Sequence, residues 1–334
     1  MDRATPTDLM AGSQLPPRVR KARKNLDITR GPGLEVSPLT APLITKDEAD
    51  VRYVDLRDAD GLREYYRDDF GVEIDDILDV DYALMSGSEL QTLPQATAAG
   101  APFEWIMASH VAEHIPDLIG WFDELAEVLV DEGRLSLVIP DKRFCFDVLR
   151  PTTTVGELLL AHDSADARPS IRAVYDYLTG HRTVDSVELW RGYLPGDDRR
   201  MFTNERIASD LAKVRRGEYV DSHVWVFTPE TFVNALDALS HLGVLEFTIA
   251  DIMPTERDDL EFFVTLERLP RALALPGRRE RFVADWAVAK ELVAAAGVAD
   301  DPDAPDAPPL VPSAREYRML AGKRRVVEFV KGRR

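Results

Sequence analysis

Cysteine and histidine are scarce in this sequence, and long hydrophobic runs are missing. Its 334 residues include one cysteine, Cys145, and six histidines. A single cysteine excludes a disulfide scaffold and a cysteine-rich zinc module, and it is typical of a reducing compartment. No stretch approaches the roughly 18 consecutive apolar residues of a membrane span, and the first residues lack the order of a signal peptide. We therefore expect a cytoplasmic protein without a transmembrane segment.

Basic residues are outnumbered, and they are unevenly placed. The sequence has 41 Lys and Arg against 59 Asp and Glu, a formal net charge of −18. Residues 1–32 carry a net charge of +4 and residues 313–334 carry +6, so residues 33–312 carry −28. A body with that charge repels a phosphate backbone, which argues against nucleic acid as a substrate.

The sequence does contain an alternation of strand-like and helical segments. Such alternation indicates βαβ units and a doubly wound parallel sheet, which is an α/β fold. The continuous apolar run at 134–140 is expected of a strand that is covered on both faces. The predicted strands lie at 51–54, 76–80, 103–108, 134–140, 245–252 and 260–266, and the predicted helices at 59–66, 117–129 and 228–242.

Changes in composition and periodicity along the sequence suggest a division into parts. Residues 1–32 mix Pro, Gly and basic residues without a sustained period, and we expect a loosely ordered N-terminal arm. Residues 33–268 are predicted to form the α/β domain. Within it, residues 141–222 are polar and irregular, with helical patches at 155–162 and 171–178, and they are predicted to be a cap inserted between strands 5 and 6.

Residues 108–146 carry the most specific resemblance to a known family. The stretch 103–117, FEWIMASHVAEHIPD, is followed by an amphipathic helix and by GRLSLVIPDKRFCFD at 133–147. This pattern resembles the class I S-adenosylmethionine-dependent methyltransferases, in particular bacterial members associated with glycan or secondary-metabolite biosynthesis. The resemblance covers about residues 33–268. It implies a seven-stranded Rossmann-like sheet whose last strand is antiparallel, with S-adenosyl-L-methionine at the carboxyl ends of the first strands.

Two segments compete for the turn that the family places after its first strand. Residues 26–33, LDITRGPG, resemble the glycine-rich form, and residues 34–38, LEVSP, resemble a Leu-Glu-Ile-Gly-Pro variant with Ser37 in place of glycine. Glu35 and Asp55 are 20 residues apart, close to the spacing between this turn and an acidic residue that binds the ribose, so we take the second segment. The cofactor-binding residues that the resemblance implies are Glu35, Ser37, Pro38, Asp55, Asp81 and Ser109.

Three of these positions carry specific expectations. Asp81 follows the predicted third strand, where a polar residue would meet the adenine, and Ser109 follows the fourth strand near the sulfonium. Ser37 has a side chain where glycine usually permits a positive φ or a close backbone approach. If that side chain crowds the cofactor, the chain is a degenerate methyltransferase fold that serves as a binding or assembly module, and this alternative stays open.

The segment His110-Val-Ala-Glu113-His114 concentrates the most reactive side chains. Taken alone it matches His-x-x-Glu-His, a zinc-peptidase motif that needs one continuous helix. Pro116 disfavours a helical Ile115 and marks a new helix start, so a metallohydrolase is the less favoured interpretation. In a methyltransferase this turn borders the transferred methyl group. His110 or His114 is then a candidate general base for an acceptor hydroxyl, with Glu113 as a further catalytic candidate.

The same turn could hold a metal ion. Some small-RNA and quinone O-methyltransferases carry Glu-x-x-Glu-His here with a divalent ion, and this sequence has His110 in place of the first Glu. His223 could complete a site with Glu113 and His114 for Mg²⁺ or another divalent metal. Alternatively, Glu113 and His114 satisfy backbone groups at a helix start.

Candidates for acceptor binding follow the fifth predicted strand. Asp141, Lys142 and Arg143 stand where charges at the end of a parallel strand face the crevice, although a salt-bridged loop would also explain them. Trp190, in the predicted cap, could stack on a sugar ring or belong to the core of that insertion. These features, with the resemblance, predict O-methylation of a hydroxyl on a glycan or a similar polar metabolite.

Residues 269–334 are predicted to form a C-terminal extension. Its linker, residues 300–312, is rich in Pro and Asp, and residues 317–330 then alternate basic and apolar side chains. Such a tail could bind a second copy of the chain as a homodimer, a glycosyltransferase or an anionic surface. A frayed basic tail without a partner is the alternative.

Overall fold

The structure, a computed structural model, describes residues 15–67, 72–87 and 89–298. Within this part of the chain, seven strands form one sheet with helices and loops on both faces. The strands of the sheet are β1 (Gly33–Val36), β2 (Val51–Asp55), β3 (Tyr82–Ala83), β4 (Phe103–Ser109), β5 (Leu129–Pro140), β6 (Phe247–Met253) and β7 (Glu261–Arg268). The α-helices are α1 (Pro17–Arg23), α2 (Ala59–Tyr66), α3 (Leu93–Thr97), α4 (Leu118–Val128), α5 (Val155–Asp163), α6 (Ile171–Gly180), α7 (Ser186–Trp190), α8 (Asn204–Arg215), α9 (Pro229–Leu242) and α10 (Leu275–Val298).

The strand order in the sheet is β3-β2-β1-β4-β5-β7-β6. All neighbours are parallel except β7, which is antiparallel to both β5 and β6. The predicted α/β fold class is therefore confirmed, including the antiparallel last strand. The chain leaves β1 in one direction and β4 in the other, so the switch point of this doubly wound sheet lies between β1 and β4. Ligands of such sheets bind outside the carboxyl ends of the strands at that point.

One face of the sheet is covered by α3, α4, α5, α9 and α10. Helix α4 buries a continuous apolar face that includes Trp121, Phe122 and Leu125. Each large apolar side chain removed from water contributes about 1.5–3 kcal/mol, so this face holds the helix on the sheet. Helix α9 has clear boundaries, because the Thr228 side chain caps its first turn and Gly243 ends it in the left-handed region, at φ 76°.

The other face is covered by α1 and by the connection between β1 and β2. Residues 37–50, all of them described, contain no helix, so this crossover is a loop and not the expected βαβ unit. Its side chains Leu43 and Ile44 are buried together with Ala22 of α1 and Trp105 of β4. A loop can replace a helix here because α1 supplies the missing apolar cover.

The expectation of a loosely ordered N-terminal arm is wrong for residues 15–32. Helix α1 lies on the sheet and pairs its basic side chains with acidic groups of the body: Arg18 with Glu261 at 2.7 Å and Lys24 with Asp251 at 2.7 Å. The positive N-terminal segment thus neutralises part of the negative domain. Residues 1–14 lie outside the described residues.

Gly33 is required by packing and not by a phosphate-binding turn. A Cβ atom at this position would lie 2.0 Å from the Trp105 ring, which rests directly on the β1 backbone. The indole N–H of Trp105 donates a hydrogen bond to the Arg30 carbonyl at 2.8 Å. Residues 26–33, the rejected alternative for the cofactor turn, therefore lead into β1 instead of following it.

The main error among the predicted strands is the segment 76–80. Residues Ile74–Asp76 form a 3₁₀ turn, and the third strand is the two-residue β3 further along the chain. Only Ile77 is buried in this acidic stretch, so it lacks the apolar face that would hold a strand on the core. The next described residues form a small antiparallel hairpin, Met85–Ser86 with Glu89–Leu90.

Residues 141–222 leave the sheet after β5 and contain α5 to α8. Helices α6 and α8 share a small core of Val174, Leu178 and Ile207. Leu158 of α5 and Ala173 of α6 reach the main core, so the insertion is anchored on the domain. Its function as a cap over the site remains a prediction.

Helix α10 is the described part of the C-terminal extension. The linker at 300–312 and the basic tail lie outside the described residues, and a dimer or glycosyltransferase contact through that tail stays a prediction. No helix in the described ranges is long and apolar enough to cross a membrane.

Candidate functional site

The turn after β1 and the end of β2 meet at the carboxyl edge of the sheet. Ser37 adopts φ 52°, the left-handed conformation usually reserved for glycine, and its backbone N–H donates to the Val54 carbonyl at 2.8 Å. Its side chain lies beside the Asp55 carboxylate and favours the charged form of that group. Serine therefore adopts the left-handed backbone conformation that a glycine was expected to supply at this position. Pro38 follows in the same turn, and its carbonyl accepts from the Ala41 N–H at 2.9 Å.

Asp55 is a buried carboxyl group at this edge, with 7% of its surface exposed. Burial raises its pKa to about 6, although the hydrogen bond from the Leu56 N–H and the neighbouring Ser37 side chain favour the charged form. A carboxylate at the end of the second strand is the group that accepts hydrogen bonds from ribose hydroxyls in dinucleotide-binding folds. The position of Asp55 matches this expectation.

Glu35 lies within β1 and supports the loop on the second face of the sheet. Its two carboxylate oxygens accept the backbone N–H groups of Leu43 at 2.6 Å and Ile44 at 3.0 Å. Burial raises the pKa of Glu35 to about 7, against the effect of those hydrogen bonds. Both oxygens are thus engaged by backbone of the β1–β2 loop, which assigns Glu35 to loop support.

Asp81 is at the wrong end of its strand for the predicted adenine contact. It precedes β3, and its carboxylate accepts the Tyr53 N–H at 2.8 Å and pairs with Lys46 at 2.7 Å. Because β3 runs parallel to β2, its amino end points away from the carboxyl edge. The expectation for Asp81 followed from the misplaced third strand, and it is wrong.

The turn after β4 brings together several charged groups. Ser109 ends the strand and accepts a hydrogen bond from Arg18 at 2.7 Å, so α1 reaches the site. His110 follows at φ 54°, with Nε2 2.7 Å from Glu261 and Nδ1 3.3 Å from Glu113. Burial disfavours a charged imidazole, but the hydrogen bond to Glu261 and the attraction of Glu113 and Glu261 outweigh it and raise the pKa of His110 to about 9. This residue is therefore an imidazolium near neutral pH and is unsuited to act as a base in this state.

Glu113 is buried in a short 3₁₀ turn, Ala112–His114, with 1% of its surface exposed. Within the described part of the chain, neither of its carboxylate oxygens accepts a well-aligned hydrogen bond. The imidazoles of His110 and His114 point to different partners, and the motif does not continue into a helix. The geometry of the zinc-peptidase motif is thus absent from this described segment, which removes the metallohydrolase interpretation.

Three potential metal-binding side chains converge beside this turn. One ligand atom from each of Glu113, His114 and His223 lies within 4.8 Å of the other two. The Val224 N–H donates to the Glu113 carbonyl at 2.7 Å, so backbone pairing brings His223 to the turn after β4. Three of the four predicted metal-binding residues therefore come together, whereas His110 is held by Glu261.

Two aspartates contact the imidazoles of this group. His223 Nδ1 lies 2.6 Å from Asp147 Oδ2, and His114 Nδ1 lies 2.9 Å from Asp221 Oδ1. Attraction to Asp221 raises the pKa of His114, against the effect of burial. In both imidazoles the remaining nitrogen, Nε2, is the one left for a metal ion.

The residues predicted to bind the acceptor are largely occupied by contacts within the protein. Asp141 is fully buried and accepts hydrogen bonds from Arg143 at 2.6 Å and Thr255 at 2.8 Å. Lys142 donates to the Val148 carbonyl at 3.0 Å. Trp190 stacks on Phe144 with ring centroids 3.8 Å apart and donates to the Asp259 carbonyl. The salt-bridged loop accounts for Asp141, Lys142 and Arg143, and the core of the insertion accounts for Trp190. These side chains are engaged within the protein and are not part of the acceptor site that we propose.

Sequence reasoning missed four residues of the site: Arg18, Asp147, Asp221 and Glu261. Asp221 stands two residues before His223 in the sequence, which is a weak signal. Asp147 and Glu261 carry no such signal in the sequence, because a carboxylate between apolar residues gives no hint of a distant partner. They reach the site through β7 and the loop after β5.

No protein-family model matches the chain, and no curated protein matches it. Among solved structures, the CurJ carbon methyltransferase is similar over 75% of this chain at 15% identity and a TM-score of 0.34, and this chain spans 52% of its length. An S-adenosylmethionine-dependent methyltransferase from Mesorhizobium loti is similar over 75% of this chain and 96% of its own, at 12% identity and a TM-score of 0.37. One from Clostridium acetobutylicum is similar over 71% and 83%, at 12% identity and a TM-score of 0.35. At these values we base no functional statement on the similarities, and the fold class rests on the strand order.

Proposed function

We propose that this chain is an S-adenosylmethionine-dependent methyltransferase that transfers a methyl group to an oxygen of a polar acceptor. The observation that carries the proposal is the pairing of Ser37 and Asp55 at the carboxyl edge of a seven-stranded sheet with an antiparallel last strand. The left-handed Ser37 turn would let backbone approach the methionine part of the cofactor, and Asp55 would accept hydrogen bonds from its ribose. Ser109 and His110, at the end of β4, would border the methyl group.

On the acceptor side, we assign Glu113, His114 and His223 as ligands of a divalent metal ion. Glu113 is buried and lies 3.3 Å from the His110 imidazole, yet neither of its oxygens accepts a well-aligned hydrogen bond from the described residues, so its carboxylate keeps lone pairs for a metal ion. Two imidazoles and one carboxylate favour Zn²⁺, Fe²⁺ or Mn²⁺ over Mg²⁺, which prefers oxygen ligands. Such an ion, when bound, would lower the pKa of a coordinated acceptor hydroxyl.

This proposal replaces a histidine base at His110. Its imidazolium instead links Glu113 to Glu261, and Arg18 holds Glu261 from the other side at 2.7 Å. The alternating charges fix the turn after β4, so that Glu113 faces His223. Catalysis then depends mostly on holding the acceptor oxygen in line with the methyl–sulfur bond.

The acceptor that we propose is a hydroxyl of a glycan or similar polar metabolite. The net charge of −28 on residues 33–312 disfavours a polyanionic acceptor. Candidate hydroxyl compounds can be screened with labelled S-adenosylmethionine, and mass spectrometry of the product distinguishes methylation of oxygen from methylation of carbon.

Calorimetry with S-adenosylhomocysteine tests the cofactor site. We expect binding in the micromolar range, and loss of most of that affinity in Asp55→Ala. Absence of binding at millimolar ligand would contradict the proposal and favour the alternative of a non-catalytic binding module. Dialysis against a chelator tests the metal separately: turnover should fall and return when Zn²⁺ or Mn²⁺ is added back.

A further inference from the structure

Both histidines of the proposed metal site are held at the same ring nitrogen. In His223 and His114 it is Nδ1 that meets an aspartate, at 2.6 Å and 2.9 Å. The two aspartates come from different segments, Asp147 from the loop after β5 and Asp221 from the end of the insertion. An ionised carboxylate only accepts hydrogen bonds, so each Nδ1 must carry the proton.

The environment of Asp147 is built to keep its charge. Its side chain is 2% exposed, and Arg150 donates to its second oxygen at 2.8 Å. His223 and Arg150 thus contact different oxygens of one buried carboxylate, which holds it against His223 Nδ1. The rings of Phe146 and Tyr177 lie 4.7 and 5.9 Å from the His223 ring and limit its rotation.

The His114–Asp221 pair is more open. The Asp221 side chain is 51% exposed, and the Tyr219 hydroxyl contacts it at 3.4 Å. The rings of His114 and His223 meet edge to face with centroids 4.7 Å apart. Rotation of either ring would disturb the other, so the two aspartates together define one arrangement of the pair.

We propose that Asp147 and Asp221 are positioning residues that fix His223 and His114 as the tautomer protonated on Nδ1, so that both present Nε2 to the metal ion shared with Glu113. His223 Nε2 already lies 4.0 Å from Glu113 Oε1. Carboxylates behind metal-binding histidines orient the ring and raise its basicity, and their loss costs about 10–100-fold in metal affinity. This inference rests on the metal site of the proposed function.

Nitrogen-15 spectra of histidine-labelled, metal-free protein test the tautomer directly. We expect Nδ1 to carry the proton in both His114 and His223. In Asp147→Ala and Asp221→Ala the corresponding histidine should lose this preference, whereas the Asn variants, which keep an acceptor oxygen, should largely retain it. An unprotonated Nδ1 in the wild type would overturn the inference whether or not the protein binds metal.

Titration with Co²⁺, followed by its visible absorption, measures the consequence for metal binding. Asp221→Ala should weaken Co²⁺ binding by about 10–100-fold and Asp221→Asn by less, with the thermal midpoint nearly unchanged because Asp221 is half exposed. A folded Asp147→Asn variant allows the same Co²⁺ titration to be made for the buried aspartate. The control is Asp237→Asn, which alters a partly buried aspartate of helix α9, 3.2 Å from His241 Nδ1, and should leave the titration unchanged.

The outcomes separate this inference from the proposed function. Wild-type affinity for Co²⁺ in both Asp221 variants would overturn the positioning role while the metal site stands. A wild-type protein that binds no Co²⁺ would remove the metal from the proposed function, and the tautomer spectra would then decide the positioning role alone.

Discussion

The two halves of the proposed site are assembled in different ways. The donor half, Ser37 and Asp55, comes from one turn and one strand end separated by 18 residues. The acceptor half, Glu113, His114 and His223 with Asp147 and Asp221, comes from three segments spread over 110 residues. In the donor half the turn at Ser37 contributes its backbone conformation, so a serine can replace a glycine there, and Asp55 contributes its side chain. In the acceptor half each side chain depends on a partner that is distant in sequence.

The largest expected effect comes from Glu113→Gln in the acceptor half. The change keeps the volume of the side chain and removes the charged ligand. Affinity for Zn²⁺ should therefore fall by at least about 100-fold, which is more than the loss expected on removing an aspartate behind a metal-binding histidine. Affinity for S-adenosylhomocysteine should stay within about twofold, because the donor half is untouched. Calorimetry with each ligand gives both values. Equal losses for the two ligands would show that the halves are not independent.

Asp55→Ala is the reciprocal change in the donor half. A carboxylate that accepts hydrogen bonds from two ribose hydroxyls contributes about 1.5–3 kcal/mol, so affinity for S-adenosylhomocysteine should fall about 10–100-fold. Affinity for Zn²⁺ should not change. Asp163→Ala, on the exposed surface of α5, is the control, and cofactor affinity equal to that of the control would remove Asp55 from the site.

The pH dependence of cofactor binding should report the pKa of Asp55, about 6. Ribose hydroxyls donate to the ionised carboxylate, so affinity should be constant above pH 7 and about tenfold weaker at pH 5. In the ligand-free protein, the pH dependence of folding stability has the opposite sign. A raised carboxyl pKa means that this group stabilises the fold most at low pH, and the contribution declines as pH rises from about 4 to 6. Asp55→Asn should bind weakly and show no such step.

The smallest effect is expected for Ser37→Gly. A non-glycine residue in the left-handed region costs about 1–2 kcal/mol, and glycine loses up to about 1 kcal/mol more entropy on folding. The free energy of unfolding should therefore rise by no more than about 1 kcal/mol in urea denaturation. Ser164→Gly, where φ is −85°, relieves no strain and should lower it instead. A decrease at both positions would mean that the Ser37 side chain stabilises the turn.

The elements that could be predicted from sequence are those with a strong apolar pattern of their own. Helix α4 and strand β5 are long enough to carry a clear period or a continuous apolar run. Strand β3 has two residues and no such pattern. Helix α1 looks like a polar arm because its basic side chains find their partners on β6, β7 and the loop between them.

The site residues likewise differ in how far the sequence could predict them. Ser37 and Asp55 were suggested by the family resemblance, and the 20-residue spacing between Glu35 and Asp55 chose between the two candidate turns. The grouping of Glu113, His114 and His223 could be suggested from residue types. The protonation of His110 could not, because it depends on Glu261, 151 residues away along the chain.

The sequence alone therefore determined the α/β class and most of its strands, since apolar periodicity and chain connectivity are local properties. Only the tertiary structure decided which polar groups are already occupied. Asp81, Asp141 and Trp190 are engaged by contacts within the protein, and His110 becomes an imidazolium between two carboxylates. The physical reason is that the charge and availability of a buried polar group are set by its neighbours in space, which the order of residues does not specify.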